Sequence, residues 1–159
     1  MDSDSASAIP DGMTAKAAET IATKAHLGQF DKAGLPYIAH PSRVASRVAA
    51  SHGLSDPAVA VAWLHDVVED TAVSLEELTA LGLSDAQRAA LSALTHLSGE
   101  SRLEYLERVA ASEIATRVKF ADIADNSDPA RLGLLDESVA ARLRAKYAAD
   151  VEFLRSRLS

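Results

Sequence analysis

Residues 58–70 read AVAVAWLHDVVED, apolar at almost every position as far as Leu64 and then closing on His65, Asp66, Glu69 and Asp70. A segment apolar on all sides must be enclosed by other elements. Its start is marked as well, since Ser55 or Asp56 suits a helix N-cap and Pro57 the first helical turn. The segment is therefore expected to be a central, buried helix. A polar cluster at its C-terminal end is then conspicuous, because unpaired charge among apolar neighbours is costly. On a helix, spacings of four place His65 with Glu69, and Asp66 with Asp70, on shared faces. The adjacent residues His65 and Asp66 stand about a hundred degrees apart. Both reach one cation only if it lies at the helix flank and other segments complete its shell.

The rest of the chain supplies helices to surround this one. About half of the 159 residues are apolar, Ala and Leu dominate, and there are only seven Gly and five Pro. That composition favours an all-α bundle. A helix is expected from about Thr14 to Leu27, with Ala17, Ile21 and Ala25 on its apolar stripe. GQFDKAGLPYIAHP follows as an ordered loop ending in His40, with Pro41 opening a helix that carries Val44, Val48 and Ala49 and stops near Gly53. Ser74 with Glu77 makes a capping-box pattern for a short helix, and Ser84 precedes another that runs to about Thr95. After a turn at 98–101, helices are expected through LEYLERVAA, from Glu113 to Asn126 with Pro129 helping to end it, and from Asp136 to Arg157. The last has Val139, Leu143, Tyr147, Val151 and Leu154 inward. Residues 1–12, rich in Ser and Asp, read as a disordered leader, and 13–159 as a single domain.

Several function classes are disfavoured. A net charge of −7 argues against a nucleic-acid partner. The absence of cysteine excludes disulfides, thiolate metal sites and thiol catalysis. No apolar stretch approaches the roughly 20 residues of a membrane span, and the acidic start is no signal peptide, so a cytoplasmic protein is expected.

The chemistry lies in His40, His65, Asp66 and Asp122 of VKFADIADN. Two imidazoles and two carboxylates from three segments can enclose one divalent cation, and mixed N/O ligation suits Mn²⁺, Fe²⁺, Zn²⁺ or Mg²⁺. Such a cation lowers the pKa of water towards neutral, and Glu69 or Asp70 can then take its proton. The plainer alternative is that His65 and Asp66 cap or pair at an exposed helix end.

AHLGQFDKAGLPYIAHPSRVA, AWLHDVVEDT and VKFADIADN, in that order over about residues 14–150, resemble the HD-domain phosphohydrolases. The nearest branch is the RelA/SpoT hydrolase domain and the small alarmone hydrolases. The resemblance implies an all-α HD-domain helical bundle with one Mn²⁺ on His40, His65, Asp66 and Asp122. It also implies Glu69 and Asp70 as the acidic pair acting on water, and Asn126 as a substrate contact. The implied reaction removes the 3′-pyrophosphate of ppGpp or pppGpp. Lys24, Lys32, Arg43, Lys119 and Arg131 are candidate phosphate contacts, since their segments lie with the motifs. Where the family commonly carries Arg-Lys, this chain has Asp31 and Lys32, and Ile123 replaces a usual basic residue. Asp31 removes a stacking partner for guanine and adds negative charge. An HD phosphohydrolase of another nucleotide, or a non-catalytic sensor module, therefore stands beside the alarmone reading. His26 is either a support for the His40 loop or a surface residue. His52 and His96 read as helix-end residues, and Tyr37 and Trp63 as core. Oligomeric state is not legible.

Overall fold

The structure is a computed structural model and describes residues 12–158, so most of the expected leader lies outside the described residues. The chain forms α1 (Ala15–Ala25), α2 (Ala39–His52), α3 (Pro57–Leu64), α4 (Val67–Asp70), α5 (Leu75–Ala80), α6 (Asp85–Leu94), α7 (Arg102–Ala110), α8 (Glu113–Asn126), α9 (Pro129–Leu132) and α10 (Glu137–Ser156). Among the described residues the one β-type pairing is an isolated antiparallel bridge between Phe30 and Pro36. The expected all-α architecture is the observed one.

Helix α3 is the axis of the bundle and packs against α1, α2, α6 and α8. Ala58, Val59, Ala60, Val61, Ala62 and Leu64 are all buried and Trp63 is half-buried, so beyond Pro57 α3 shows little to solvent. Alanine at every second position lets four neighbours approach closely, while the Val and Leu side chains each contribute about 1.5–3 kcal/mol of burial. Val44, Ala45 and Val48 of α2, with Ala115 and Val118 of α8, close over it. Helix starts follow local chemistry: Asp56 caps α3 ahead of Pro57, and Ser74, Ser84 and Ser101 each form a capping box.

Three expectations are corrected. Helix α1 buries Ala18 and Ala22, with Ile21 and Ala25 half-buried, and Ala17 is exposed. Ile21 and Ala25 pack on the core as expected, while Ala18 and not Ala17 takes the buried position in the first turn. Helix α2 begins at Ala39, so His40 belongs to its first turn and not to the preceding loop. Pro41 is tolerated there because first-turn N–H groups have no intrahelical partner. Pro129 does not end α8, which stops at Asn126; it opens α9 behind Asp128, the same Asp-Pro start signal as Asp56-Pro57.

One buried amide pins the N-terminal approach. Gln87 on α6 is fully buried; its Oε1 accepts from Met13 N–H at 2.8 Å and its Nε2 donates to the carbonyls of Met13 and Pro57 at 2.9 and 3.2 Å. Gln87→Ala leaves these buried backbone groups unpaired and is expected to lower unfolding free energy by about 2–3 kcal/mol. Urea denaturation monitored by circular dichroism measures this as a lower midpoint at unchanged slope.

Candidate metal centre

The central helix does not run through the His-Asp pair. Helix α3 stops at Leu64, His65 and Asp66 form the joint, and α4 resumes at Val67. Asp66 sits at φ −105° and ψ −3°, away from ideal helix. The expected continuous helical face shared by His65, Glu69 and Asp66, Asp70 is therefore replaced by a break. The break turns two adjacent side chains towards one point, which straight helical spacing forbids.

His65 Nε2 lies 3.2 Å from Asp66 Oδ2 and 3.3 Å from Asp122 Oδ1 of α8. His40 Nε2, from α2, lies 2.9 Å from the same Asp122 oxygen and 3.9 Å from Asp66 Oδ2. The outer nitrogens are held from behind. His40 Nδ1 is 2.7 Å from Asp125 Oδ2, and His65 Nδ1 is 2.7 Å from the Ala62 carbonyl. Both partners accept, so each Nδ1 carries hydrogen and donates, and each Nε2 is aimed inward. Tyr37 donates to Asp66 Oδ2 at 2.6 Å. Asn126 Nδ2 and Lys119 Nζ each donate to Asp122, at 3.1 Å.

This donor set fits a divalent cation. His65 Nε2 is buried with no hydrogen-bond partner. Ligands on bonds of about 2.0–2.2 Å at right angles stand about 3 Å apart, close to the separations of 2.9, 3.2 and 3.3 Å found here. His40, His65 and Asp66 offer atoms within 4.8 Å of one another, and Asp122 closes the group from α8.

Protonation follows from the same crowding. Burial alone would push His65 down, but the charge of Asp66 and the Asp122 carboxylate outweigh it and hold His65 at about 9, against an ordinary 6.5. His40 is raised likewise, its burial outweighed by Asp122 and Asp125. Burial would raise Asp122, yet His40 and His65 hold it well below the usual carboxylate range. Burial and the nearby Asp66 and Glu69 raise Asp70, which makes it a stronger base. Burial, then Asp66, holds the Tyr37 phenol protonated far above its ordinary range.

The centre opens into a cleft of about 190 Å³ whose lining includes Glu69, His96, Tyr105, Lys119, Asn126 and Arg131. A neighbouring cleft of about 400 Å³ shares Tyr37, Asn126 and Arg131 with it and adds Phe30, Lys32, Arg43 and Tyr147. Of the expected substrate contacts, Asn126, Lys32 and Arg43 are brought together here. Lys24 is exposed on α1 and lines neither cleft, because α1 turns that face to solvent. Arg43 is committed to Asp125 at 2.7 Å. Asp70 is near enough to feel Asp66 and Glu69 but does not line the metal cleft. Asp31 uses its carboxylate within its own loop, where Oδ1 accepts from Ala33 N–H and Leu35 N–H at 2.9 Å each. Gly34 takes φ +84° to close that turn.

Four residues were misread or missed in the sequence, and a fifth, His26, was left open. Asp125 is fully buried and accepts from His40, Arg43 and, at 3.1 Å, Arg131. Its signal was spacing: His40 with Arg43, and Asp122 with Asp125, are both i, i+3 pairs on packed helices. Tyr37, expected in the core, touches Asp66 and lines both clefts. His96, expected to be a helix-end residue, hydrogen-bonds Glu69 and stacks on Tyr105, which was not singled out at all. His26 is 1% exposed beneath Tyr37, which makes it a support of the loop and not a surface residue.

No family model matches the chain. A guanosine-3′,5′-bis(diphosphate) 3′-pyrophosphohydrolase of Haemophilus influenzae is 53% identical over 58 residues, which is 36% of this chain and 8% of that protein. A GTP pyrophosphokinase of Myxococcus xanthus is 39% identical over 72 residues, 45% of this chain and 9% of that protein. A probable guanosine-3′,5′-bis(diphosphate) 3′-pyrophosphohydrolase of Synechocystis is 46% identical over 56 residues, 35% of this chain and 7% of that protein. The matched region thus spans under a tenth of the length of these relatives. Among solved structures, a metazoan ortholog of SpoT described as hydrolyzing ppGpp superposes with a TM-score of 0.75 at 23% identity, covering 89% of this chain and 85% of that one. The chain resembles the SpoT-type hydrolases in sequence over its matched segment and shares the all-helical HD-domain fold.

Two measurements check the centre. Asp125→Asn keeps the volume but removes the charge behind His40, and is expected to weaken Mn²⁺ binding about 10–100-fold by calorimetry. Metal must displace the proton on His65, so its affinity is expected to rise as pH increases from 6.5 to about 9 and to flatten above. In metal-free protein the sign reverses. The raised pKa of His65 contributes stability that is full below 6.5 and lost as pH rises through about 9. Thermal melts with and without Mn²⁺ across this range should therefore diverge with rising pH.

Proposed function

We propose that the chain is a divalent-metal phosphohydrolase, Mn²⁺-dependent, that removes the 3′-pyrophosphate from (p)ppGpp to leave GDP or GTP. The observation that carries this reading is the convergence of His40, His65, Asp66 and Asp122 at a cleft continuous with a second, partly apolar one. The names of the H. influenzae and Synechocystis relatives and of the metazoan SpoT ortholog support the choice of substrate.

The four ligands would hold the cation, which when bound supplies positive charge for the phosphate oxygens and acidifies water. Glu69, which lines the metal cleft, would take the proton of the attacking water, and Asp70, outside that lining, would act through its charge beside Glu69 and Asp66. A bond forms from water oxygen to the phosphorus attached at O3′, the P–O3′ bond breaks, and O3′ leaves as a hydroxyl after gaining a proton. Lys119 and Arg131 line the metal cleft and suit the charge of the departing pyrophosphate. Asn126 stands where the clefts meet and suits the ribose or its phosphates. Phe30, Tyr147 and neighbouring leucines suit a nucleobase, with Lys32 and Arg43 at the rim.

A second reading is favoured by one observation. Asp31 stands where the resemblance places an arginine that would stack on guanine, and its carboxylate is engaged by its own turn. An HD phosphohydrolase of a different nucleotide fits that loop equally well.

Purified protein with Mn²⁺ is expected to convert ppGpp to GDP and pyrophosphate, resolved by anion exchange. Orthophosphate release from other nucleotides, with ppGpp untouched, would replace the substrate and keep the chemistry. Asp66→Ala is expected to abolish Mn²⁺ binding. Glu69→Ala is expected to bind Mn²⁺ and lose at least about a hundredfold in kcat, and wild-type turnover in that variant would remove its assigned role.

A further inference from the structure

Glu69 is a long side chain at the exposed end of a four-residue helix, with about a third of its surface open to solvent. A carboxylate so placed samples several rotamers, and aiming it at one water costs entropy unless something holds it. The structure contains that hold. Glu69 Oε1 accepts two hydrogen bonds from one residue, from the backbone N–H of His96 at 2.7 Å and from its Nδ1–H at 2.8 Å. Both fall on the same oxygen, which leaves Oε2 with no protein donor among the hydrogen bonds of the described residues.

His96 is itself fixed. Its ring stacks on Tyr105 at 3.9 Å between centroids and 19° between planes. Tyr105 is 3% exposed, its hydroxyl donates to the Leu94 carbonyl at 3.3 Å, and Lys119 lies over its ring at 5.2 Å. The backbone entering His96 is tied by Arg108, whose Nη2 donates to the Thr95 carbonyl at 2.8 Å while its guanidinium pairs with Glu100. A line of contacts therefore runs from the buried Tyr105 through the exposed imidazole to the carboxylate of Glu69. All three residues border the metal cleft.

We propose that His96 is a positioning residue for the hydrolysis: its Nδ1–H and backbone N–H clamp Oε1 of Glu69 so that Oε2 faces the attacking water. This rests on the reading of Glu69 as the group that receives the water's proton. The clamp acts on orientation, so its loss lowers kcat and leaves KM alone.

The test separates the two imidazole nitrogens. Asparagine places an N–H donor where Nδ1 stands, and glutamine places one where Nε2 stands. His96→Ala is expected to lose about tenfold or more in kcat with KM and Mn²⁺ affinity unchanged, a pattern that reports a transition-state effect. His96→Asn should recover most of that loss and His96→Gln little of it. Equal defects in the Asn and Gln variants, or a raised KM at full kcat, would overturn the proposal. Nitrogen-15 NMR of the histidine rings supplies a readout that needs no turnover. His96 should be the Nδ1–H tautomer in the Mn-free protein and lose that preference in Glu69→Ala. An Nε2–H tautomer in wild type overturns the clamp. If wild type leaves ppGpp intact, the substrate reading fails, and the tautomer result alone decides the clamp.

Discussion

The structure depends on a conflict of charge at the end of its most buried helix. Asp66 and Asp122 face the Nε2 atoms of the buried His40 and His65 at the base of the cleft. Two carboxylates so close repel, and neutral imidazole nitrogens turned towards them present lone pairs to negative oxygen. Only positive charge resolves this, either protons on the imidazoles or a cation between all four. The protonated solution raises both histidines and is limited by pH. The metal solution satisfies every donor at once, including the unpartnered His65 Nε2. The surrounding fold reads as what is required to keep the conflict in place. The α3–α4 break aims two adjacent side chains together, and α2 and α8 run in register so that His40 meets Asp122 while Arg43 meets Asp125.

Asp125 shows how far that arrangement extends beyond the ligands. It is fully buried yet holds its charge, because His40, Arg43 and Arg131 surround it and outweigh the burial that would protonate it. Its partners come from α2 and from α9, the short helix that the Asp128-Pro129 start creates. A residue that contacts no candidate ligand site of its own thus sets the ring orientation of one that does. The same residue ties Arg43 and Arg131 to the border between the two clefts, so the cations facing any nucleotide are held by the carboxylate that orients the metal centre.

Much of this was legible in the sequence, and what was not has a physical reason. The choice of His40, His65, Asp66 and Asp122 as side chains that come together, the largely buried character of residues 58–64, and the caps at Asp56, Ser74 and Ser84 depend on local pattern. All were readable, as was the all-α class. The break at His65-Asp66 was not, because periodicity assumes an unbroken helix and no Gly or Pro marks the joint. Asp125 was hidden because its partner is 82 residues away and only the packing of α2 on α8 reveals the pairing. His96 and Tyr37 were misassigned for a related reason: each looks structural along the chain, and each becomes a site residue through a contact across it, with Glu69 and with Asp66.

The chain carries a net charge of −7, and yet the two clefts collect Lys32, Arg43, Lys119 and Arg131. That contrast argues for a ligand selected by local field and not by the field of the whole surface. A larger cavity of about 740 Å³ between α2 and α8 makes the point from the other side. It too is lined by arginines, but Arg117 is paired with Asp56 and Glu113, and Arg157 with Glu107. Among the described residues, no cluster of candidate metal ligands borders that space. In the metal cleft the acids converge on a cation site, and Lys119 and Arg131, held by Asp122 and Asp125, border the same space. A candidate cation site bordered by an ammonium and a guanidinium group suits a polyphosphate whose oxygens are shared between them. Cavity size alone would point to the wrong end of α2. The chemistry of the lining points to the end where the central helix breaks.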